Sequence, residues 1–324
     1  MLSVGNLSLS NPVLLAPMAG ITDLPFRRLV SRFGAGLVVS EMVASGEFLS
    51  ARAAARARAE IDPACGPPAV QIAGREAASM ALAARMCADQ GAALIDINMG
   101  CPAKKVTGGL SGSALMRTPD HALRLVEAVL AVVSIPVSVK MRLGWDAESL
   151  NAAEIARRCE GAGVAMLTVH GRTRCQFYSG KADWAAIAAV KAAVRVPVIA
   201  NGDIVDTRSA ADATARSGAD GVMIGRAARG QPWLPAQIHA ARIGRAGPVR
   251  PRGAALAALM IEHYEAMLGF YGTALGLRVA RKHLGWYLEP LGAVSLRRAL
   301  MQLDTPRAVI AVLKSGLADL PEAA

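Results

Sequence analysis

The chain has 324 residues, of which 53% are hydrophobic but only 4% aromatic, and its formal net charge is +11 at pH 7. No run of about 18 apolar residues occurs, and no basic stretch followed by an apolar core marks a signal peptide, so we expect a cytoplasmic monomer without a membrane span. The positive charge indicates either a polyanionic partner such as nucleic acid or simply an arginine-rich composition.

The cysteines and three histidines give no pattern of metal ligands. The five cysteines are odd in number and form no CxxC pair, which argues against a disulfide framework and a zinc site. Inert packing is the expectation for four of them, Cys65, Cys87, Cys159 and Cys175. Three histidines lie on helical stretches and are expected at the surface or as caps: His121, His239 and His263.

Short apolar runs alternate with alanine-rich helical stretches from residue 12 to about residue 230. The runs cover residues 13–18, 37–42, 69–74, 94–100, 137–144, 166–172, 198–203 and 221–226. Helix-start signals at Thr118-Pro119, Asp183 and Asp206 predict helices over 119–132, 184–194 and 207–217. This repeat predicts a (β/α)8 TIM barrel. The rival, a doubly wound open sheet, usually carries a GxGxxG turn after its first strand, and this chain lacks it.

The sequence changes in character after Trp233. A connector rich in glycine, proline and arginine, "RIGRAGPVRPRG", spans residues 242–253, and helical periodicity follows over 254–271, 273–288, 294–303 and 305–316. We therefore predict a barrel over residues 1–236, a connector over 237–253 and a small all-α helical bundle over 254–324.

Polar or conformationally special residues end every predicted strand. Because the active site of such a barrel lies at the carboxyl ends of its strands, this ring predicts a ligand site. Its members are Pro17, Met18, Glu41, Gln71, Asn98, Cys101, Lys140, Arg142, His170, Arg172, Asn201, Asp203, Gly225 and Arg226.

The last two strands indicate a phosphate site. "NGD" at 201–203 and "GRAARG" at 225–230 place glycines and a helix start after strands seven and eight, where barrels commonly bind phosphate. Lys140 in the mouth requires an anionic or electron-rich ligand. Flavin mononucleotide (FMN) would combine a phosphate with a ring edge suited to Lys140 and Gln71. A sugar phosphate would satisfy these residue types nearly as well.

The segment "DINMGCPAKKV" (96–106) presents a thiol at a strand end, because Gly100 and Pro102 force a turn around Cys101. This segment and others resemble the tRNA-dihydrouridine synthases, and the bacterial DusB-type branch most closely. The other segments are "LLAPMAGITDLPFRRL", "EMV", "VQIAG", "VSVKMRLGW", "LTVHGRTRCQFYSGKADW", "VIANGDI", "GVMIGRAARGQPW" and, in the tail, "ARKHLGWYL".

The resemblance implies an FMN enzyme that reduces the C5=C6 bond of particular uridines in tRNA with NADPH. The family's flavin contacts fall on Ala16, Pro17, Met18, Gln71, Lys140, His170, Asn201, Gly202, Asp203, Gly225 and Arg226. The family's proton-donating cysteine falls on Cys101. A thiol of ordinary pKa (about 8.5) is mostly protonated at neutral pH, so Cys101 can protonate C5 after hydride reaches C6. Asn98 would orient the base, and Arg142 would hold its carbonyl or a phosphate.

Two other functional classes remain open at this point. A small-molecule flavin dehydrogenase of the dihydroorotate or dihydropyrimidine kind would use the same barrel and cysteine. A non-enzymatic RNA-binding module would leave Cys101 and Lys140 unexplained.

The basic tail favours tRNA as the substrate. Residues 237–324 carry 11 Lys and Arg against 6 Asp and Glu, whereas residues 1–236 carry 25 against 19. Arg278, Arg281 and Lys282 share one predicted helix face and are expected to bind tRNA phosphates. Trp286 and Tyr287 are expected to anchor that helix to its neighbours.

Overall fold

The structure, a computed structural model, describes residues 1–50 and 53–318. It begins with an antiparallel hairpin that the sequence analysis did not predict, formed by β1 (Leu2–Val4) and β2 (Leu7–Leu9). Gly5 makes the turn with a left-handed φ of 60°. The buried side chains of the hairpin pack with residues that begin the barrel strands, so it covers the amino-terminal end of the barrel.

Nine short parallel strands form one sheet in the order β4-β3-β11-β10-β9-β8-β7-β6-β5. They are β3 (Val13–Leu15), β4 (Leu37–Val38), β5 (Val43–Ala44), β6 (Ala69–Ala73), β7 (Leu94–Met99), β8 (Val137–Arg142), β9 (Met166–His170), β10 (Val198–Asn201) and β11 (Gly221–Ile224). The two ends of this order, β4 and β5, belong to one segment, and Val39 within it bridges to Ala69. The sheet therefore closes on itself, and the predicted TIM barrel is confirmed.

The second barrel position differs from its predicted single strand over 37–42. The chain leaves the ladder at Ser40, whose N–H donates to Ala69 O (2.9 Å) and whose hydroxyl donates to Glu41 O (2.9 Å). The same hydroxyl accepts the Gln71 N–H at 3.1 Å. A side chain that substitutes for ladder hydrogen bonds in this way splits the strand into β4 and β5.

Helices surround the sheet. They are α1 (Leu24–Phe33), α2 (Ser45–Leu49), α3 (Ala53–Ala59), α4 (Ala77–Asp89), α5 (Lys104–Thr107), α6 (Pro119–Leu130), α7 (Ala152–Ala162), α8 (Trp184–Ala193), α9 (Thr207–Ser217) and α10 (Leu234–Arg242). The predicted start signals are confirmed at α8 and α9, where Asp183 accepts from Ala186 N–H and Asp206 forms a capping box with Ser209.

The main aliphatic core lies between the sheet and α4, α6, α7 and α8. Cys87 and Cys159 are buried in it, and Cys65 is buried in a second cluster beside α1, as predicted. The packing expected of Cys175 is wrong, because this residue is exposed in the loop after β9. Its backbone N–H donates to Trp145 O at 2.8 Å, so the backbone is held while the side chain faces solvent.

The tail forms α11 (Gly253–Tyr271), α12 (Thr273–Leu288), α13 (Val294–Gln302) and α14 (Pro306–Ala318). These bounds agree closely with the predicted helices. Their shared core includes Leu29 of α1 and Trp233, so the bundle packs directly on the barrel. Residues 237–242 belong to the predicted connector, but they form the second half of α10. Leu234 and Ile238 of this helix pack into the second core cluster beside α1.

Polar contacts join the bundle to the loop after β3. Tyr271 Oη donates to Asp23 Oδ2 at 2.9 Å, and Lys282 Nζ donates to Gly20 O. His263 is 2% exposed and stacks on Phe26 with ring centroids 5.7 Å apart, so its predicted surface position is wrong. The helical periodicity of the sequence predicts correctly that His263 lies on a helix, but it does not show that the face of α11 that carries His263 packs against α1.

Within residues 1–50 and 53–318, no helix is both long enough and apolar enough to cross a membrane.

Candidate active site

Two adjoining cavities of about 330 and 510 Å³ open at the carboxyl ends of the barrel strands. They share Pro17, Met18, Lys140, His170 and Arg226, so they are two halves of one cleft. All eleven residues predicted to contact the cofactor line one half or the other. The second half also contains the predicted catalytic and substrate residues of the barrel, Asn98, Cys101 and Arg142.

The first half has the chemistry of an anion site. Gly202 follows β10 with a φ of 111°, and a Cβ there would lie 2.8 Å from both Ala182 Cβ and His170 Cδ2. The backbone N–H groups of Gly202, Asp203 and Gly225 have no hydrogen-bond partner within the described residues. The half-exposed Arg226 guanidinium adds a cation at the same place. Unpaired N–H groups beside a cation suit a phosphate.

Asp203 lies among these donors, and the guanidinium of Arg172 balances its negative charge. The buried Arg172 holds its carboxylate with two hydrogen bonds of 3.0 and 2.5 Å, and Ala182 N–H donates at 2.8 Å. Burial acts to raise the pKa of Asp203, but these hydrogen bonds outweigh it and keep that pKa below its usual value. Asp203 therefore stays ionised and fixes the strand-end loop, whose φ of 52° at this residue is left-handed.

Lys140 projects between the two halves of the cleft. Its Nζ donates to Asn201 Oδ1 at 3.1 Å, and Asn201 Nδ2 donates to Met223 O at 2.8 Å. Burial, together with the neighbouring Arg142, lowers the pKa of Lys140 to about 8, against the opposite effect of Asp96. An anionic group beside Lys140 would raise this pKa again and favour the protonated amine.

His170 faces Lys140 from β9 as a neutral imidazole. Burial holds its pKa well below the usual value, and the surrounding cations Lys140, Arg142 and Arg172 act in the same direction. Its Nε2 lies 3.3 Å from Arg172 Nη1. Because a guanidinium can only donate, Nε2 accepts and Nδ1 carries the proton. His170 therefore offers a neutral N–H donor.

A buried hydrogen-bond network leads to the cysteine loop. Ser138 Oγ and Gln71 Nε2 both donate to the Asp96 carboxylate, each at 2.6 Å. Asn98 Nδ2 donates to Gln71 Oε1 at 2.7 Å. Asn98 Oδ1 accepts the N–H groups of Gly100 (3.1 Å) and Cys101 (2.9 Å).

Both amides in this network have a fixed orientation. At one end of the network, the Asp96 carboxylate can only accept hydrogen bonds. At the other end, the two backbone N–H groups of the cysteine loop can only donate them. Each amide nitrogen keeps a second hydrogen, and both side chains line the cleft. Gln71 and Asn98 can therefore each offer an N–H donor to a ligand carbonyl there.

The Cys101 thiol is half-buried in the second half of the cleft, on a loop held from both sides. Ser113 donates to Cys101 O through its N–H (3.1 Å) and its hydroxyl (2.9 Å). The buried Arg142 donates to Gly100 O at 2.8 Å and to the carbonyls of Thr173 and Phe177 at 2.8 and 2.9 Å. Arg142 thus ties two loops together, and only its Nη2 remains for a ligand.

Sequence reasoning did not identify Asp96 and Ser138 as site residues, although a signal existed. Gln71, Asp96 and Ser138 are register partners on three adjacent strands. Asp96 also lies two residues before Asn98 within a strand, so both side chains share a face. Two polar residues that lie two positions apart in an otherwise apolar barrel strand therefore indicate side chains that face the barrel interior.

The three predicted tail residues are not equivalent. Arg281 Nη2 donates to Leu303 O at 3.0 Å, and Lys282 donates to the carbonyl oxygen of Gly20. The N–H of Gly20 in turn donates to Glu41 Oε2 at 2.5 Å. Arg278 is exposed and has no partner among the described residues. Arg281 thus holds the bundle together, Lys282 holds the loop after β3, and Arg278 alone points away from such contacts.

Metal ligands do not cluster in the described ranges, 1–50 and 53–318: no group of three or more His, Cys, Asp or Glu there could hold an ion.

Solved structures show the same fold at low sequence identity. Morphinone reductase in complex with tetrahydroNAD matches with a TM-score of 0.55 and 18% identity, covering 76% of this chain and 90% of that one. An old yellow enzyme homologue from Zymomonas mobilis matches with a TM-score of 0.54 and 15% identity, covering 72% and 90%. At these identities the likeness concerns the fold alone.

Curated relatives match over nearly the full length. A probable tRNA-dihydrouridine synthase of Rhodobacter capsulatus is 62% identical over 319 residues, 98% of each chain. One from Rhizobium leguminosarum bv. phaseoli is 54% identical, covering 98% of this chain and 100% of that one. The tRNA-dihydrouridine synthase B of Xanthomonas axonopodis pv. citri is 45% identical, covering 97% and 95%. The family model described as dihydrouridine synthase (Dus) matches residues 14–320, and the chain belongs to this family.

Proposed function

We propose that the protein is an FMN-dependent tRNA-dihydrouridine synthase that reduces the C5=C6 bond of specific uridines in tRNA with NADPH. One observation carries this proposal. A single cleft brings together an anion site, a lysine with a lowered pKa and a cysteine thiol on a tightly held loop. The names of the full-length relatives supply the substrate class.

The residues of the cleft fit FMN in three places. The N–H groups of Gly202, Asp203 and Gly225, with Arg226, would hold its phosphate. Ala16, Pro17 and Met18 line the cavity beside that site and would pack on the ring system, and Asn201 would contact it as well. Lys140, Gln71 and His170 would supply donors to the polar ring edge. When bound, the flavin supplies a hydride to carbon C6 of uracil.

Cys101 would donate the proton to carbon C5, from the face of the base opposite the hydride. Its loop is positioned for this by Asn98, by Ser113 and by Arg142. The spare N–H of Asn98 would donate to a uracil carbonyl and stabilise the negative charge that develops there. Arg142 Nη2 would hold a carbonyl or a phosphate of the same substrate.

NADPH and tRNA would use the cleft in turn. The chain has no Rossmann fingerprint, so NADPH is expected to bind transiently at the mouth and leave before tRNA enters. The target uridine must leave its stack to reach the cleft. The helical bundle, residues 254–324, would hold the tRNA backbone meanwhile, with Arg278 as an exposed cation, in a cytoplasmic monomer.

The experiment compares two substrate classes. The purified protein, loaded with FMN and supplied with NADPH, is incubated with unmodified tRNA transcripts or with free uracil and orotate. We expect uridines in tRNA to gain two hydrogens by mass spectrometry, while the free pyrimidines stay unchanged. Reduction of the free pyrimidines without any change in tRNA would contradict the proposal and indicate a small-molecule dehydrogenase.

A further inference from the structure

Tyr178 is an exposed aromatic side chain at the mouth of the cleft. Its exposed fraction is 54%, and no other Phe, Trp or Tyr in the described part of the chain is as open. It lines both halves of the cleft. Nothing in the mechanism proposed above uses it, and a ring that is more than half exposed buries little apolar surface and so contributes little to stability.

The loop that carries Tyr178 is held by two buried arginines. Arg142, from β8, donates to the carbonyl of Phe177 at 2.9 Å. Arg172, after β9, donates to the carbonyls of Ser179 (3.1 Å) and Gly180 (2.8 Å). The backbone is therefore anchored immediately before and immediately after Tyr178. Loop backbones are usually more mobile than the elements they connect, and arginines are rarely fully buried, so this loop is held unusually firmly.

The backbone next to the ring is also strained. Phe177 has a φ of 50°, in the left-handed region that a bulky side chain rarely adopts. Such strain persists only where the surrounding structure holds it, and the Arg142 hydrogen bond to Phe177 O supplies that hold. The Tyr178 ring itself is held by its neighbours: its centroid lies 6.4 Å from that of His170, and the guanidinium carbons of Arg226 and Arg142 lie over it at 4.5 and 5.8 Å.

We propose that Tyr178 is a stacking platform for a nucleobase of tRNA that flanks the target uridine. This inference rests on the proposed function. The target base itself has no free face, because one face receives the hydride and the other faces the Cys101 thiol. Extruding that uridine leaves its neighbours without a stacking partner. A rigid aromatic ring beside a cation such as Arg226 is the usual protein substitute.

Two variants and a loop control test the platform. Tyr178→Ala removes the ring, Tyr178→Phe keeps it without the hydroxyl, and Ser179→Ala changes the exposed neighbour, whose side chain makes no hydrogen bond within the described residues. The KM for tRNA, the affinity for FMN and the rate of flavin reduction by NADPH are measured for each. We expect KM for tRNA to rise by about 5- to 150-fold in Tyr178→Ala only.

The measurements separate this inference from the proposed function. An active wild type with an unchanged KM for tRNA in Tyr178→Ala overturns the platform alone. So does a loss confined to FMN binding or to the NADPH step, because the ring would then serve the cofactor or the nicotinamide. Equal losses in Tyr178→Phe and Tyr178→Ala overturn it as well, since they implicate the hydroxyl. A wild type that forms no dihydrouridine in tRNA refutes the proposed function and the platform together.

Discussion

Gly202→Ala tests whether the end of β10 is the cofactor's anion site. The left-handed φ of 111° costs a residue with a Cβ roughly 1–2 kcal/mol. The new methyl group would also lie 2.8 Å from His170 Cδ2 and from Ala182 Cβ, both far inside van der Waals contact. Turning His170 off its rotamer costs about 0.5–1.5 kcal/mol more. We therefore expect a stability loss of about 1.5–3.5 kcal/mol.

Gly202→Ala should also weaken FMN binding, separately from its effect on the stability of the fold. The substitution shifts the N–H groups of Gly202 and Asp203 together with His170. Loss of one hydrogen bond to a charged group costs about 1.5–3 kcal/mol, which is a 10- to 150-fold weaker Kd. Quenching of flavin fluorescence on titration of the apoprotein measures this Kd, and thermal unfolding of the same sample measures the strain.

Gly244→Ala is the matched control. Gly244 also has a left-handed φ, 66°, but no atom lies within 4 Å of its added Cβ, and it is remote from the cleft lining. We expect it to lose about 1–2 kcal/mol of stability and no FMN affinity. Equal FMN affinity in the two variants would refute the placement of the anion site at Gly202.

Three further predictions concern single side chains. Cys101→Ala should still be reduced by NADPH but should form dihydrouridine about 10²- to 10⁴-fold more slowly; a normal rate would assign the proton to another group. Because Lys140, facing Asp96, Arg142 and Cys101, has a pKa lowered to about 8, it is charged below that pH and neutral above it. FMN affinity of the apoprotein should therefore fall about tenfold as pH rises through 8, and not in Lys140→Arg; a flat wild-type profile would contradict this. Arg278→Ala should weaken tRNA binding and reduce the log–log salt slope of that binding by about 0.9. Lys282→Met, which frees Gly20 O in the loop after β3, should weaken FMN binding instead. Weaker FMN binding in Arg278→Ala together with weaker tRNA binding in Lys282→Met would contradict both roles.

The barrel could be predicted from sequence because each strand is a compact apolar run followed by a helix signal. Periodicity alone could not divide the segment 37–44, since the break depends on contacts of Ser40 across the sheet. Its N–H donates to Ala69 O, and its hydroxyl accepts the Gln71 N–H. The amino-terminal hairpin was also missed, because two strands of three residues give too short a pattern.

The chemistry of the strand ends could be predicted, but the connections between them could not. Gln71, Asn98 and Cys101 were all identified singly, whereas the hydrogen bonds that join Gln71 to Asp96 and Ser138 depend on the register of three strands. Likewise, Arg281 and Lys282 look equivalent to Arg278 along the helix. Their partners, Leu303 and Gly20, lie 22 and 262 residues away along the chain, so only the fold separates their roles.

The most direct test maps dihydrouridine in tRNA from a strain that lacks this protein. The proposed function predicts that dihydrouridine disappears at defined tRNA positions. A plasmid copy of the wild-type chain should restore those positions, and a Cys101→Ala copy produced at the same level should not. An unchanged dihydrouridine map in the deletion strain, or full restoration by the Cys101→Ala chain, would contradict the account.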